Sequence, residues 1–215
     1  MHPHPLELDQ GRATASMLLL HGLGANGQDL LPLARALDLP SVRFILPDAP
    51  VQPVSLNKGY PMRSWFDLYA DDFPRRQDEA GLLAARDSVQ SLVEREMQRG
   101  IKAERILLGG FSQGGALALF SGLTLAYPFA GIAGLSTWLP AVEEKPIHPP
   151  AIWLAHGRHD SILPLAVSEA SYGPELARQI NIWPMDHEIC TEEIAALRRW
   201  IAVRLADGSQ DNGQA

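Results

Sequence analysis

Ser112, Asp160 and His187 are the residues whose types and order could run acyl transfer. Ser112 stands in Gly110-Phe111-Ser112-Gln113-Gly114-Gly115, between a short apolar run and a longer one. G-x-S-x-G at a strand-to-helix turn is the nucleophile elbow, in which glycines let strand and helix approach closely. A glycine-rich turn with a surface serine is the rival reading, and the strand-before, helix-after context favours the elbow. Such a serine needs a base, and the base needs an orienting acid. Where the elbow occurs, the partners follow in the order Ser, Asp or Glu, then His. Asp160, in His156-Gly157-Arg158-His159-Asp160, lies just past a predicted strand, and His187 is the one histidine that follows it. Asp186 adjoins His187, so its side chain tends to point elsewhere. Glu143, Glu144 and Glu169 read as solvated. His2, His4 and His148 fall in a tail or a Pro-flanked loop, and His156 and His159 read as structural or exposed neighbours of the acid. No spacing of His with Asp or Glu supports a metal site.

The second motif is His21-Gly22-Leu23-Gly24-Ala25-Asn26-Gly27, directly after the first clear strand. An acyl-transfer site needs backbone N–H groups aimed at the oxyanion. One comes from the residue after the nucleophile, here Gln113, and one from an early glycine-rich loop, where Leu23 is the natural donor. A phosphate loop is excluded, because neither a G-K-[ST] ending nor a G-x-G-x-x-G run is present. Cys190 lacks a nucleophile's turn and reads as a packing residue.

Short apolar runs alternate with longer amphipathic stretches, the pattern of a parallel α/β sheet. Strands are expected over Met17–His21, Val42–Pro47, Arg105–Gly110, Ala130–Leu135, Ala151–His156 and Ile180–Trp183. Helices are expected over Gln28–Leu37, Glu79–Arg99, Gln113–Tyr127, Leu165–Gln179 and Thr191–Leu205. No charged residue occurs from Ile106 to Val142, as befits a central strand, a buried helix and the next central strand. The Pro-rich stretch from Asp48 to Gln77 either serves a site or is a surface excursion held by Trp65.

The 215 residues suit a single domain, and 46% hydrophobic content with 20% charged is that of an ordinary globular chain. A formal charge of −7 argues against a phosphate-binding surface, hence against nucleic acid. One cysteine excludes an internal disulfide. The start lacks a secretion signal's basic head and apolar run, and no run is long enough to span a membrane, so a cytoplasmic protein is expected. Residues 1–12 and 207–215 read as flexible tails.

Seven segments in collinear order resemble one family. They are HGLGANGQD at His21–Asp29, LPDAP at Leu46–Pro50, MRSWFDLY at Met62–Tyr69, GFSQGGA at Gly110–Ala116, LSTWLP at Leu135–Pro140, HGRHDSILP at His156–Pro164 and MDHEIC at Met185–Cys190. Together they are similar to the carboxylesterase and acyl-protein thioesterase (phospholipase/carboxylesterase) family. The resemblance implies an α/β-hydrolase fold: a mostly parallel central sheet, helices on both faces and no separate lid domain. It implies Ser112 as nucleophile, Asp160 as acid and His187 as base, with Leu23 and Gln113 as oxyanion donors. Trp65 and Trp138 match positions near the acyl groove. The resemblance implies a broad-specificity carboxylesterase acting on small carboxylic esters, with thioesters or lysophospholipids as the alternative, and neither cofactor nor metal is called for. Several members are dimers, so a homodimer is among the assemblies implied. A non-catalytic acyl-binding protein is the rival of another class. Two departures stand out: the Asp160–His187 stretch is short, and position 186 is Asp where a small residue is usual.

Overall fold

The computed structural model describes residues 4–11, 13–69, 76–141 and 150–207. Its main sheet has seven strands, β1 (Leu6–Leu8), β2 (Ala15–Leu20), β3 (Val42–Leu46), β6 (Ile106–Phe111), β7 (Gly131–Leu135), β8 (Ile152–Gly157) and β9 (Ile180–Trp183), in the order β1-β3-β2-β6-β7-β8-β9. All neighbours run parallel except β1, which pairs antiparallel with β3 through Leu6–Leu46 and Leu8–Phe44. Strands β4 (Val51–Val54) and β5 (Tyr60–Arg63) form a separate hairpin.

Side chains alternate across the sheet, as a period of two requires. On β2, Leu18 and Leu20 join Leu108, Val89, Val93 and Leu117 on one face, while Met17 and Leu19 join Leu33, Leu37, Leu197 and Ile201 on the other. The first face is covered by α2 (Glu79–Gln98), α3 (Gln113–Thr124) and α4 (Leu165–Ala177), the second by α1 (Leu31–Leu37) and α5 (Thr191–Asp207). This is the doubly covered sheet the alternation predicted, and β6 sits at its centre, where uncharged sequence requires it.

Five expectations need correction. The helix expected over Gln28–Leu37 is a 3-10 turn, Gly27–Leu30, followed by α1; Asn26 caps the turn, and Pro32 opens the helix where its missing N–H costs nothing. Helix α3 stops at Thr124, short of Tyr127, and α4 is broken at Gly173, whose φ of 73° precedes Pro174. The segment from Asp48 to Gln77, over which no strand is expected, holds the β4–β5 hairpin, in which Pro53 lies opposite Pro61. Both strands are short edges, where proline is tolerated. Leu6–Leu8, expected within a flexible tail, pairs as an edge strand. Residues 208–215 of the expected C-terminal tail lie outside the described residues.

Candidate active site

At the end of β6, Ser112 adopts φ 53° and ψ −121°, a left-handed conformation uncommon for a residue with a side chain. Neighbouring contacts over-determine it. Its N–H donates to Leu135 O at 2.9 Å, holding it to the end of β7. Gly110 and Gly114 are required by close approach: a side chain on Gly110 would collide with the Gly114 carbonyl, and one on Gly114 with the Leu20 carbonyl. The strain is held by a tightly fitted crossing of β6, β2 and α3, as at many functional sites.

The glycine-rich loop after β2 lies alongside. His21 is fully buried and accepts the Ala49 N–H on Nε2 at 3.0 Å, so Nδ1 carries the proton and donates to Gly22 O at 2.8 Å. Burial pushes its pKa below the usual histidine range, which keeps it neutral. Trp65 Nε1–H donates to His21 O at 2.8 Å, and the two rings pack at a tilt of 39° with centroids 5.0 Å apart. The hairpin adds a bond from Gly24 N–H to Arg63 O at 2.8 Å. The Gln113 carboxamide locks the same region to α3, donating to Ser64 Oγ at 2.9 Å and Phe66 O at 2.7 Å while accepting the Trp65 N–H at 3.1 Å. The Gln113 N–H opens α3 and has no partner within the helix.

After β8, the chain turns so that Asp160 is buried. Its Oδ1 accepts the N–H groups of Ile162 at 3.0 Å and Leu163 at 2.7 Å, and Oδ2 lies 2.7 Å from His187 Nδ1. His156 adds a second imidazole, its Nε2 lying 2.8 Å from Leu163 O and 3.3 Å from Asp160 Oδ2. Burial lowers the His156 pKa, so it stays neutral beside the acid. His187 lies against Phe111, ring centroids 4.7 Å apart. Asp186 is exposed, and bonds from Ser161 and from the His187 N–H hold its carboxyl below the usual range. It does not take a positive φ.

Ser112, His187, Leu23, Gln113 and Trp138 all line one open cleft of about 760 Å³, together with apolar Leu30, Leu68, Phe111 and Leu163. Asp160 stands behind His187. Trp65 does not line this cleft; it borders a separate cavity of about 530 Å³ beside α2 and supports the His21 loop from behind. Cys190 is absent from both linings, and burial pushes its thiol up. Sequence reasoning missed His21, the Gln113 carboxamide lock and the Asp186 tie. The available signal was a polar residue closing an apolar strand, which points to a partner without naming it.

A hydroxyl on a strained turn and a carboxylate-bound imidazole in one apolar cleft form a set able to carry out acyl transfer. Fold and site together define an α/β-hydrolase. The Phospholipase/Carboxylesterase family profile matches residues 6–205, and the chain belongs to that family of hydrolases. It is 38% identical to acyl-protein thioesterase 1 of Mycosarcoma maydis, over 88% of this chain and 91% of that protein. Acyl-protein thioesterase 1 of Cryptococcus neoformans var. neoformans is 37% identical over 87% and 91%. Among solved structures, Zea mays acyl-protein thioesterase 2 superposes with a TM-score of 0.82 at 28% identity, covering 95% of this chain and all of that one (100%). No helix among the described residues is long and apolar enough to cross a membrane.

Proposed function

We propose that this chain cleaves acyl esters and thioesters through a covalent acyl-enzyme on Ser112. The observation that carries the reading is the 2.7 Å contact of His187 Nδ1 with buried Asp160, in the cleft that holds the Ser112 elbow. Ser112 Oγ attacks the acyl carbonyl while His187 Nε2 takes its proton, and Asp160 fixes the tautomer and stabilises the imidazolium. The tetrahedral oxyanion rests on the N–H groups of Leu23 and Gln113. His187 then protonates the leaving alcohol or thiol as the C–O or C–S bond breaks. Water, deprotonated by the same imidazole, attacks the acyl-enzyme and releases the acid.

An apolar cleft suits an acyl chain, with Trp138 in its wall. The triad treats oxygen esters and thioesters alike. The names of the relatives favour thioesters at least as strongly as the broad carboxylesterase expected from sequence. A fluorophosphonate probe should label the wild type and not Ser112→Ala, and p-nitrophenyl esters and matched thioesters of rising chain length should be turned over by the wild type alone. A well-folded wild type that takes no label would overturn the reading in favour of an acyl-binding protein. A cytoplasmic setting and a homodimer are further parts of this proposal, checked by cell fractionation and light scattering.

A further inference from the structure

Thr137, two residues past the end of β7, is fully buried, and its Oγ1–H donates to the Ser112 carbonyl at 2.6 Å. Its own backbone neighbour Trp138 O is much farther, at 3.4 Å, so the single hydroxyl proton goes to Ser112. That carbonyl belongs to the peptide joining Ser112 to Gln113. A trans peptide is planar, with C=O and N–H pointing in opposite directions, so fixing the one aims the other. From this geometry we infer that Thr137 is a positioning residue for the oxyanion donor at Gln113. The inference rests on the roles proposed above for Ser112 and Gln113.

The Ser112 carbonyl also accepts the Ala116 N–H at 3.1 Å, an ordinary first-turn helix bond. Added to it, the threonine hydroxyl pins the peptide plane from a second direction and holds ψ of Ser112 at −121°. A hydrogen bond at the carbonyl also polarises the amide, which makes its N–H a better donor to a developing negative charge. Thr137 is itself held. Tyr172 on α4 donates its hydroxyl to Thr137 O at 2.6 Å, and Ser171 on the same helix accepts the Leu139 N–H at 3.0 Å. Gly115 leaves the room: any side chain there would press on the Thr137 Cβ and methyl. Helix α4 thus reaches the oxyanion site through one loop residue.

The test compares Thr137→Val, which keeps the shape and removes the hydroxyl, with Thr137→Ser, which keeps the hydroxyl. Both are assayed on a short p-nitrophenyl ester and titrated with an alkylboronic acid, which forms a tetrahedral adduct resembling the intermediate. For Thr137→Val we expect kcat to fall about ten- to hundredfold, less than or near the loss of a whole donor. KM should hardly move, and boronate affinity should weaken in parallel with kcat/KM. Thr137→Ser should recover most of the rate. A folded Thr137→Val within twofold of wild type, or a Thr137→Ser as slow as the valine variant, overturns the inference. If Thr137→Val does not fold, Tyr172→Phe serves instead, with about a threefold fall in kcat expected and an unchanged kcat counting against the relay. Activity surviving in Ser112→Ala would defeat the proposed function itself; loss there beside a normal Thr137→Val defeats this inference alone.

Discussion

The carboxylate of Asp186 clasps Ser161: its Oδ1 accepts the serine N–H at 2.7 Å and the hydroxyl at 2.9 Å. The same oxygen accepts the His187 N–H at 2.8 Å. Ser161 follows the proposed acid and Asp186 precedes the proposed base, so one surface carboxylate joins the two loops that must keep Asp160 and His187 in register. Gly157 completes the fit, since a side chain there would strike the Asp186 carbonyl. Asp186 therefore fastens the base loop.

Removing that clasp should loosen the imidazole without touching it. We expect Asp186→Ala to lower kcat/KM about three- to tenfold, because small misplacements of a catalytic group are expensive. Asp186→Asn, whose amide oxygen still accepts, should lose less. Because the ionised form is favoured by its hydrogen bonds, the clasp should be intact throughout the neutral range and fail only at acid pH. The ratio of wild-type to Asp186→Ala kcat/KM should therefore stay constant in steady-state kinetics from pH 5 to 9.

The two tryptophans singled out from sequence should separate by kinetics. Trp138 lines the cleft, so Trp138→Ala should raise KM most for long acyl chains. Trp65→Phe loses one buried hydrogen bond to His21 O, worth about 1 kcal/mol. It should lower kcat and Tm with little dependence on chain length. A chain-length series on both variants distinguishes the wall from the support.

Glu193 on α5 is fully buried with neither carboxylate oxygen bonded, and burial pushes its pKa up to about 8. The folded state therefore holds a proton that the unfolded chain releases near the ordinary glutamate value of 4.5. Between those values the native state binds more protons, so stability falls as pH rises through this window. Glu193→Gln removes the penalty and should be more stable than wild type at pH 8 by about 1–3 kcal/mol. Thermal melts of the two proteins should converge toward pH 5.

Glu96 on α2 is buried where β2 and β3 meet that helix, accepting from Ser16 Oγ at 2.7 Å, Arg43 at 2.8 Å and Arg99 at 2.9 Å. Burial raises its pKa, but Ser16 and Arg43 outweigh this and hold the carboxyl below its ordinary value. The stability it brings is present above the unfolded glutamate pKa and is lost as pH falls below it. Glu96→Ala leaves Arg43 without its buried partner and should cost about 3 kcal/mol. Denaturant unfolding measures the loss, and activity at 25 °C should survive it.

Much of this was legible in the residues. The uncharged run from Ile106 to Val142 placed the centre of the sheet, because a strand covered on both faces has no use for charge. Glycines at 110 and 114 marked the elbow, because the turn geometry excludes a side chain there. Helix interruptions were harder to read: Gly173-Pro174 lay inside a pattern whose period continued across it. The Pro-rich stretch hid its hairpin because proline lowers strand propensity everywhere, while edge strands tolerate it. Trp65 matched a family position, but nothing along the chain told which side of the His21 loop it would occupy.

Residue types and their order determined the reaction class, since a nucleophile turn, an acid and a late histidine restrict the chemistry whatever their separation. Tertiary structure alone decided which groups support them. Trp65 behind His21, Asp186 across to Ser161 and Thr137 on the Ser112 carbonyl are contacts between segments that periodicity does not relate. They depend on angles and distances of a few ångströms set by how the loops close, and local sequence does not encode those.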